Sequence, residues 1–328
     1  MLLKNKEYIS IDIGNKKIKV AIGQLNKGKL EVSKTYIKDT DSEIFKNNKI
    51  TNFQALKKSL EKIIWGNDIK EKKVIFNINE NNVIQRIIKI PEVGPEDRDN
   101  LIKYELEQYL PKSIDNYNIQ SRVLKKIDNN ESQLEMLVIV MEKEISKKYF
   151  DLAKDLKLKP ISLNVQNNAI INLISFKPNY FANNISNYMI LDIGYKTTNI
   201  NIFKNENFRF NRTIKKGISN IEDVLESKDI EINKDNLINF LKKDTDEQIL
   251  IGEIQKIINY YKSRNNQVDI EKIYIYGGAS FIKGVDNFLE ENLNIWTRKI
   301  SVEEIFEMNS KDPLLYLNAY TGLLFDSE

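Results

Sequence analysis

A twelve-residue segment occurs twice in this chain, and the repeat narrows the folds open to it. Residues 8–19 read YISIDIGNKKIK and residues 188–199 read YMILDIGYKTTN; the copies align without a gap, 180 residues apart. Tyr8/Tyr188, Asp12/Asp192, Ile13/Ile193, Gly14/Gly194 and Lys16/Lys196 are shared. Each copy is an apolar β-run that ends in Asp-Ile-Gly, turns through polar residues and returns as a second alternating run (Ile18, Val20, Ile22; Ile200, Ile202). One such hairpin is an ordinary turn. Two aligned copies, one per half, predict two similar α/β domains facing each other across a cleft.

The residue types at the bend suit phosphate chemistry. Glycine lets the backbone turn sharply and approach a ligand closely. Amides of the following turn can cradle anionic oxygens. Asp12 and Asp192 can hold a hydrated magnesium ion, chiefly through water. Asn15, Lys16 and Lys17 in one turn, and Lys196, Thr197 and Thr198 in the other, supply positive charge and hydroxyl donors. Lys16 is the preferred phosphate ligand over Lys17 or Lys19. Further on, Gly277-Gly278-Ala279 follows the apolar run IYIY, a small-residue turn able to take an anion or the flat face of a base.

Composition removes most rival chemistries. The chain contains no cysteine and no histidine, so disulfides, thiolate nucleophiles, Ser-His-Asp triads and histidine general bases are excluded. Carboxylates, lysines, hydroxyls and amides remain, an inventory suited to magnesium and phosphate. Net charge is only +3 with acids and lysines interspersed, which gives no case for nucleic acid. The absence of cysteine fits the cytoplasm. No apolar run approaches the roughly 20 residues of a transmembrane helix. The expectation is a chain without a signal peptide, and one whose end, TGLLFDSE, is too short for a membrane anchor.

Along the chain, 328 residues suggest two domains. Strands are expected over 8–37, a helix over 52–65, then strands KVIFNI and VIQRIIKI. From Pro91 the texture changes: a helix over 97–110 carries Tyr104, Glu105, Glu107 and Tyr109 and stops at Pro111, followed by strands at 117–124 and 133–141 and a helix at 142–157. That helix reads as a solvated or partner-facing surface rather than a catalytic one. Residues of about 85–150 thus form a small α+β subdomain inserted in the first half. A strand at 160–165, a helix at 166–176 and a breaker-rich loop (KPNYFANNISN) lead to the second half, giving domain I as 1–182 and domain II as 183–328. There the hairpin region covers 188–212, and helices are expected at 218–227, 235–243 and 246–263, a helical subdomain of about 218–268. A buried strand, a helix through FIKGVDNFLEENL and a closing helix through LLYLNAYTGLLF complete it.

These segments resemble the actin/Hsp70/sugar-kinase ATPase superfamily, and most specifically the PilM family, the cytoplasmic actin-like proteins of type IV pilus assembly. YISIDIGNKKIKV resembles the first phosphate loop. YMILDIGYKTTNINIF with NRTIKKG resembles the second, and KIYIYGGASFIKGVDNFLEENLN the adenosine motif. The stretch IKIPEVGPEDRDNLIKYELEQYLPKSIDNYNIQSRVL resembles the inserted subdomain of that family, and AYTGLLF its terminal small-residue helix. The resemblance implies an FtsA-type actin-like fold with ATP or ADP and Mg2+ in the central cleft. Gly14, Gly194 and the turn residues would then line the phosphates, with Lys242, Gly277, Gly278, Ala279 and Ile282 at the nucleoside.

It also implies a role: docking the cytoplasmic N-terminal tail of a PilN-like inner-membrane protein, with the pilus motor ATPase or platform proteins reached indirectly. The chain would sit at the inner face of the membrane through that partner, with homo-oligomers possible. Gly217-Ile218 stands where the family has a glycine pair, Asn164 and Gln166 where active members carry an acid, and Asn239 where a glutamate is common. An amide cannot act as a general base. The expectation is nucleotide binding with slow or absent hydrolysis. The rival readings are a small-molecule kinase of the same superfamily and an FtsA-like filament; an Hsp70-type chaperone is not the expectation, because it would need a peptide-binding domain.

Overall fold

The alternation of apolar and polar residues places each strand's two faces against different layers, and the computed structural model shows where those layers lie. It describes residues 7–79, 83–128, 132–182, 184–219, 248–306 and 312–324. The first half begins with an antiparallel meander, β1 (Tyr8–Ile13), β2 (Lys17–Asn26) and β3 (Lys29–Asp39). A two-residue pairing of β4 (Phe45–Lys46) with β5 (Lys49–Ile50) precedes α1 (Phe53–Ile64). Asn52 caps α1 by accepting the Ala55 amide at 3.0 Å, and Leu56, Leu60 and Ile63 turn one face of the helix to the core. β6 (Lys73–Ile78) then joins β1 in parallel.

An inserted layer follows. β7 (Ile84–Pro91), α2 (Pro95–Glu107), β8 (Tyr117–Asp128) and β9 (Ser132–Glu142) make a separate three-stranded antiparallel sheet, order β7-β9-β8, with α2 against it. Pro95 opens α2, where a missing N–H costs nothing. Ile102 and Leu106 bury its inner face, while Tyr104 and Tyr109 stay exposed. The chain returns through α3 (Lys143–Asp155) to β10 (Lys159–Val165), which pairs in parallel with β6. α4 (Gln166–Phe176) and the short α5 (Pro178–Ala182) lead out of the first half.

The second half repeats the plan: β11 (Asn187–Ile193), β12 (Thr198–Lys204) and β13 (Asn207–Ile214) form the meander. After α6 (Gln248–Arg264), β14 (Lys272–Tyr276) joins β11 in parallel; α7 (Val285–Leu293) and β15 (Thr297–Lys299) follow, then α8 (Val302–Phe306) and α9 (Leu317–Gly322). The sheet orders are β10-β6-β1-β2-β3 and β13-β12-β11-β14-β15. Read strand by strand they are the same topology, so the repeat of twelve residues belongs to a repeat of the whole sheet.

Alternation fixes the layers. On β1, Ile9, Ile11 and Ile13 point outward to the core under α1 and α3; on β11, Met189, Leu191 and Ile193 point outward to the core under α6 and α7. The other faces look at one another across a third core, where Tyr188, Ile190, Tyr274 and Tyr276 meet Ile170 and Leu173 of α4 and Ala319 and Tyr320 of α9. The two aspartates sit on these inner faces, each at the cleft end of its strand.

The expected helix limits hold to within a few residues over 53–64, 95–107, 143–155, 166–176 and 248–264. The expected breaker loop contains α5, and the segment through 278–293 is a 3-10 turn (Gly278–Phe281) followed by α7 rather than one helix. β4, β5, β15 and α8 were not legible, being two to five residues long. The helices expected at 218–227 and 235–243 lie largely outside the described residues.

Candidate functional site

Both hairpins close in the same way. The Gly14 amide donates to the Lys17 carbonyl at 3.1 Å, and the Gly194 amide to the Thr197 carbonyl at 2.9 Å. A Cβ on Gly14 would lie 2.9 Å from the Lys17 oxygen, and one on Gly194 3.0 Å from the Thr197 oxygen. The two turns face each other over a cavity of about 440 Å³, within the size range of small-molecule sites. Asn15, Lys16 and Lys17 line it from the first hairpin, and Tyr195, Lys196 and Thr197 from the second. Contacts already cross it: Asn79 Nδ2 donates to Thr197 Oγ1 at 3.1 Å, and the Lys16 ammonium lies 4.4 Å from the centre of the Tyr195 ring.

Beneath the turns lies a buried polar layer. Asp12 accepts from Lys19 Nζ at 2.9 Å and from Gln166 Nε2 at 2.9 Å. Lys19 stands opposite Asp12 in the β1–β2 register, which is why a lysine seven positions on reaches it. Burial opposes the charge of Lys19, but the fields of Asp12 and Asp192 and the Asp12 hydrogen bond outweigh it, so its pKa is raised. Gln166, first residue of α4, also accepts from Asn199 Nδ2 at 3.5 Å, tying the first aspartate to the second hairpin.

Asp192 is set differently. It lies opposite Asn199, has no ion pair among the described residues, and receives Asn318 Nδ2 at 3.4 Å and the Tyr276 hydroxyl. Burial, with Asp12 nearby, pushes its pKa up to about 6, against the pull of Lys19 and its two hydrogen bonds. Burial and the same two carboxylates push the Tyr276 phenol well above its ordinary value. Gly277 closes this corner with φ +87°, and a Cβ there would meet Asp192 Oδ1 at 2.3 Å, so only glycine fits.

Gly278, Phe281, Ile218, Leu314 and Leu315 make the other end of the cavity apolar. The structure therefore brings Gly14, Asn15, Lys16, Lys17, Asp192, Gly194, Lys196, Thr197, Gly277 and Gly278 to one cavity. It places others elsewhere. Thr198 is buried and donates to the Lys216 carbonyl at 2.9 Å. Ala279 and Ile282 pack into the outer core of the second sheet, and Phe281 between them faces the cavity instead. Lys17 lines the cavity, but its ammonium pairs with the exposed Asp39 at 2.7 Å. Asp12 lies below the cavity wall, occupied by Lys19 and Gln166. Lys242 lies outside the described residues.

Gln166 is expected only as an amide in the place of an acid, and its bond to Asp12 is new; Asn318 is not expected at the site at all, because it arrives from a helix far from the hairpins. The signal that finds Lys19 is its register opposite Asp12.

The donor set fits a hydrated magnesium ion at Asp192. Asn318 Oδ1 is buried without a partner on the same wall, and magnesium takes one or two protein oxygens and keeps several waters. Among the described residues no group of three or more acids gathers into a metal cage.

Comparison with known proteins agrees with this architecture. The chain is 15% identical to a structure of the PilM–PilN type IV pilus biogenesis complex, with a TM-score of 0.77 over 97% of this chain and 96% of that one. It is 12% identical to ethanolamine utilization protein EutJ from Carboxydothermus hydrogenoformans, TM-score 0.55, covering 99% and 91%. A Bacteroides thetaiotaomicron protein with an actin-like ATPase fold and unknown function gives 12% identity and a TM-score of 0.52 over 98% and 96%. Among curated proteins none matches. The fold is that of the actin-like ATPases. A family model described as type IV pilus assembly protein PilM matches residues 10–319, nearly the full length, and the chain belongs to that family.

Proposed function

We propose that this protein is a nucleotide-binding scaffold of type IV pilus assembly that docks the cytoplasmic tail of a PilN-like membrane protein and connects it to the pilus motor. The observation that carries the nucleotide reading is the cavity between the paired hairpins. Lys16, Lys19 and Lys196 offer positive charge where phosphates would lie, and Phe281, Leu314 and Leu315 an apolar wall where a nucleoside would lie. Asp192 and Asn318 would hold the hydrated magnesium ion, which supplies charge neutralisation at the phosphates. In this reading Asp12 acts through Lys19 and does not meet the metal.

Hydrolysis and transfer are disfavoured on the same geometry. Where a carboxylate base would stand, Gln166 uses its amide on Asp12 and Asn199. Such a site binds and orients a nucleotide, and closure then follows from its differential affinity for open and closed arrangements. The two halves are proposed to divide near residue 182.

The docking role is supported by family membership and by the solved PilM–PilN complex, whose fold this chain shares. The inserted sheet is the proposed docking element, with Tyr104 and Tyr109 exposed on and beside α2. Among the described residues no helix is long and apolar enough to cross a membrane, so a membrane partner would supply the attachment.

The test is a titration of the partner's cytoplasmic tail peptide, with and without magnesium-ATP, on the native protein and on Asp192→Asn. Saturable binding that scrambling the peptide abolishes, and that ATP strengthens only in the native protein, supports the scaffold. Peptide binding indifferent to ATP removes nucleotide control, and no peptide binding with ATP bound removes the docking role.

A further inference from the structure

The repeat that shapes the cleft keeps one lysine and changes the residue before it. Lys16 and Lys196 occupy the same position in the two copies, but Asn15 precedes the first and Tyr195 the second. One ring therefore serves two turns. The Lys16 ammonium, from the opposite hairpin, lies 4.4 Å from the centre of the Tyr195 ring, and the Lys196 ammonium, from its own turn, lies 5.2 Å from it. Both fall within the roughly 6 Å over which an aromatic face attracts a cation. Tyr195 is half-buried and lines the cavity together with both lysines.

The backbone that carries the ring is fastened. The Ile218 amide donates to the Gly194 carbonyl at 3.1 Å, and the Ser219 amide to the Tyr195 carbonyl at 2.9 Å. A Cβ on Gly217 would lie 2.5 Å from the Gly194 oxygen and 2.6 Å from the Tyr195 oxygen, so a bare backbone at Gly217 is what lets this segment lie against the turn. The first turn is fastened from a different loop. Thr40 donates its amide to the Lys16 carbonyl at 3.0 Å and its hydroxyl to the Gly14 carbonyl at 2.7 Å. Both turns are thus fixed at the main chain, and the ring acts on the long side chains between them. A lysine that is loose before binding must be ordered when the ligand arrives; one already held loses less freedom and binds more tightly.

We propose that Tyr195 is a positioning residue of the phosphate site: its ring holds two repeat-related ammonium groups, one from each half of the chain, as a pair for a ligand with linked phosphoryl groups. The inference rests on the nucleotide reading of the cavity. Two like charges gathered at one ring repel each other, and the anionic oxygens of a polyphosphate relieve that repulsion. Because Lys16 belongs to the first half and Tyr195 to the second, the same contact couples the placement of the charges to the approach of the two hairpins.

The test has one readout that needs no nucleotide. Reductive methylation of the full chain with isotope-labelled formaldehyde marks its lysines and keeps their charge, and a methyl group held over an aromatic ring resonates upfield. The signals of Lys16 and Lys196, assigned with Lys16→Arg and Lys196→Arg, should lie upfield in the native protein and in Tyr195→Phe and return to the ordinary position in Tyr195→Leu. Magnesium-ATP affinity should fall by about tenfold in Tyr195→Leu and stay within about twofold in Tyr195→Phe. Since the ring acts through the lysine, Lys16→Ala should weaken binding about tenfold in the native background and less than about threefold in Tyr195→Leu, a non-additivity that lost packing alone does not produce. Lysine signals unmoved in Tyr195→Leu overturn the positioning role, as do equal losses of affinity in Tyr195→Phe and Tyr195→Leu. Native protein that shows both upfield signals and binds no nucleotide overturns instead the nucleotide reading on which the role rests.

Discussion

The two hairpins share an Asp-Ile-Gly bend, a turn and a strand topology, yet hold their aspartates in opposite electrostatic states. In the first, Lys19 stands across the ladder from Asp12 and pairs with it at 2.9 Å. In the second, the equivalent position is Asn199, and among the described residues Asp192 is held by an amide and a phenol. One residue in the repeat thus separates a structural carboxylate, neutralised inside the protein, from one that has no ion pair among the described residues. A duplicated fold gives two identical scaffolds. Asymmetry at the pivot position is what turns one aspartate into a candidate metal ligand.

The most damaging way to break this contrast is to remove Lys19. Lys19→Met leaves Asp12 and Asp192 facing each other without a cation in a buried layer, and breaking a buried pair by deleting one partner costs about 3–5 kcal/mol. Urea unfolding of this variant should show a loss of unfolding free energy of that size at neutral pH. It should recover as the pH falls and the carboxylates take up protons. A loss under 1 kcal/mol would mean that Lys19 is dispensable to the buried layer.

Asp192→Asn is the opposite case, a site mutation that stabilises. Asp192 has a folded pKa of about 6 against an ordinary 3.8, so between those values the native state holds a proton that the unfolded chain has lost. Stability contributed by this group therefore falls as pH rises from about 4 to about 6 and is flat above, by roughly 3 kcal/mol for a shift of about two units. Asp192→Asn removes the slope: the variant matches the native protein near pH 4 and exceeds it by about 2–3 kcal/mol at pH 7.5, while magnesium-nucleotide binding drops. Asn199→Lys sharpens the same point by giving the second hairpin the first one's cation. It should lower the Asp192 pKa toward the ordinary range, readable in a pH titration of stability.

The glycines test the symmetry rather than the contrast. Both Gly14→Ala and Gly194→Ala push a methyl group against a carbonyl of the same turn, at 2.9 and 3.0 Å, so each should cost about 1–2 kcal/mol, the first slightly more. Thermal unfolding of the pair should give near-equal shifts. A difference of several-fold would show that the turns, and not only the residues beneath them, have diverged.

Much of this was legible in the chain. The repeat gave the two sheets because period-two apolar runs and Asp-Ile-Gly turns are local signals, and the change of texture at Pro91 marked the inserted sheet. Gly277 was readable as a turn. What escaped was whatever depends on chains meeting from a distance. Gln166 is 154 residues from Asp12, and Asn318 is 126 from Asp192. The resemblance marks Gln166 as an amide in the place of an acid but not its bond to Asp12, and nothing near Asn318 marks it as more than a helix residue. The resemblance implies Ala279 and Ile282 at the nucleoside, but the structure packs both into the core. The 3-10 turn at Gly278–Phe281 rotates successive side chains, so Phe281 reaches the cavity while its neighbours enter the core.

The smallest effect is expected at Lys17, and it decides how the first turn works. Lys16 and Lys17 are adjacent in the turn, and the sequence reading prefers Lys16 from the turn alone. In the structure Lys16 leans across to the Tyr195 ring of the other hairpin, while Lys17 pairs outward with an exposed Asp39. An exposed pair contributes about 0–1 kcal/mol, because solvent screens it and two long side chains must be ordered to form it. Lys17→Ala should therefore change stability by less than about 0.5 kcal/mol and leave nucleotide affinity within a factor of about two. Lys16→Ala should weaken that affinity by about tenfold, the loss of one charge-assisted phosphate contact. If the two substitutions act alike, the turn presents its lysines as a diffuse field. If Lys16 alone matters, the contact across to Tyr195 poises one lysine between the hairpins, and the first turn contributes to binding through a single positioned charge.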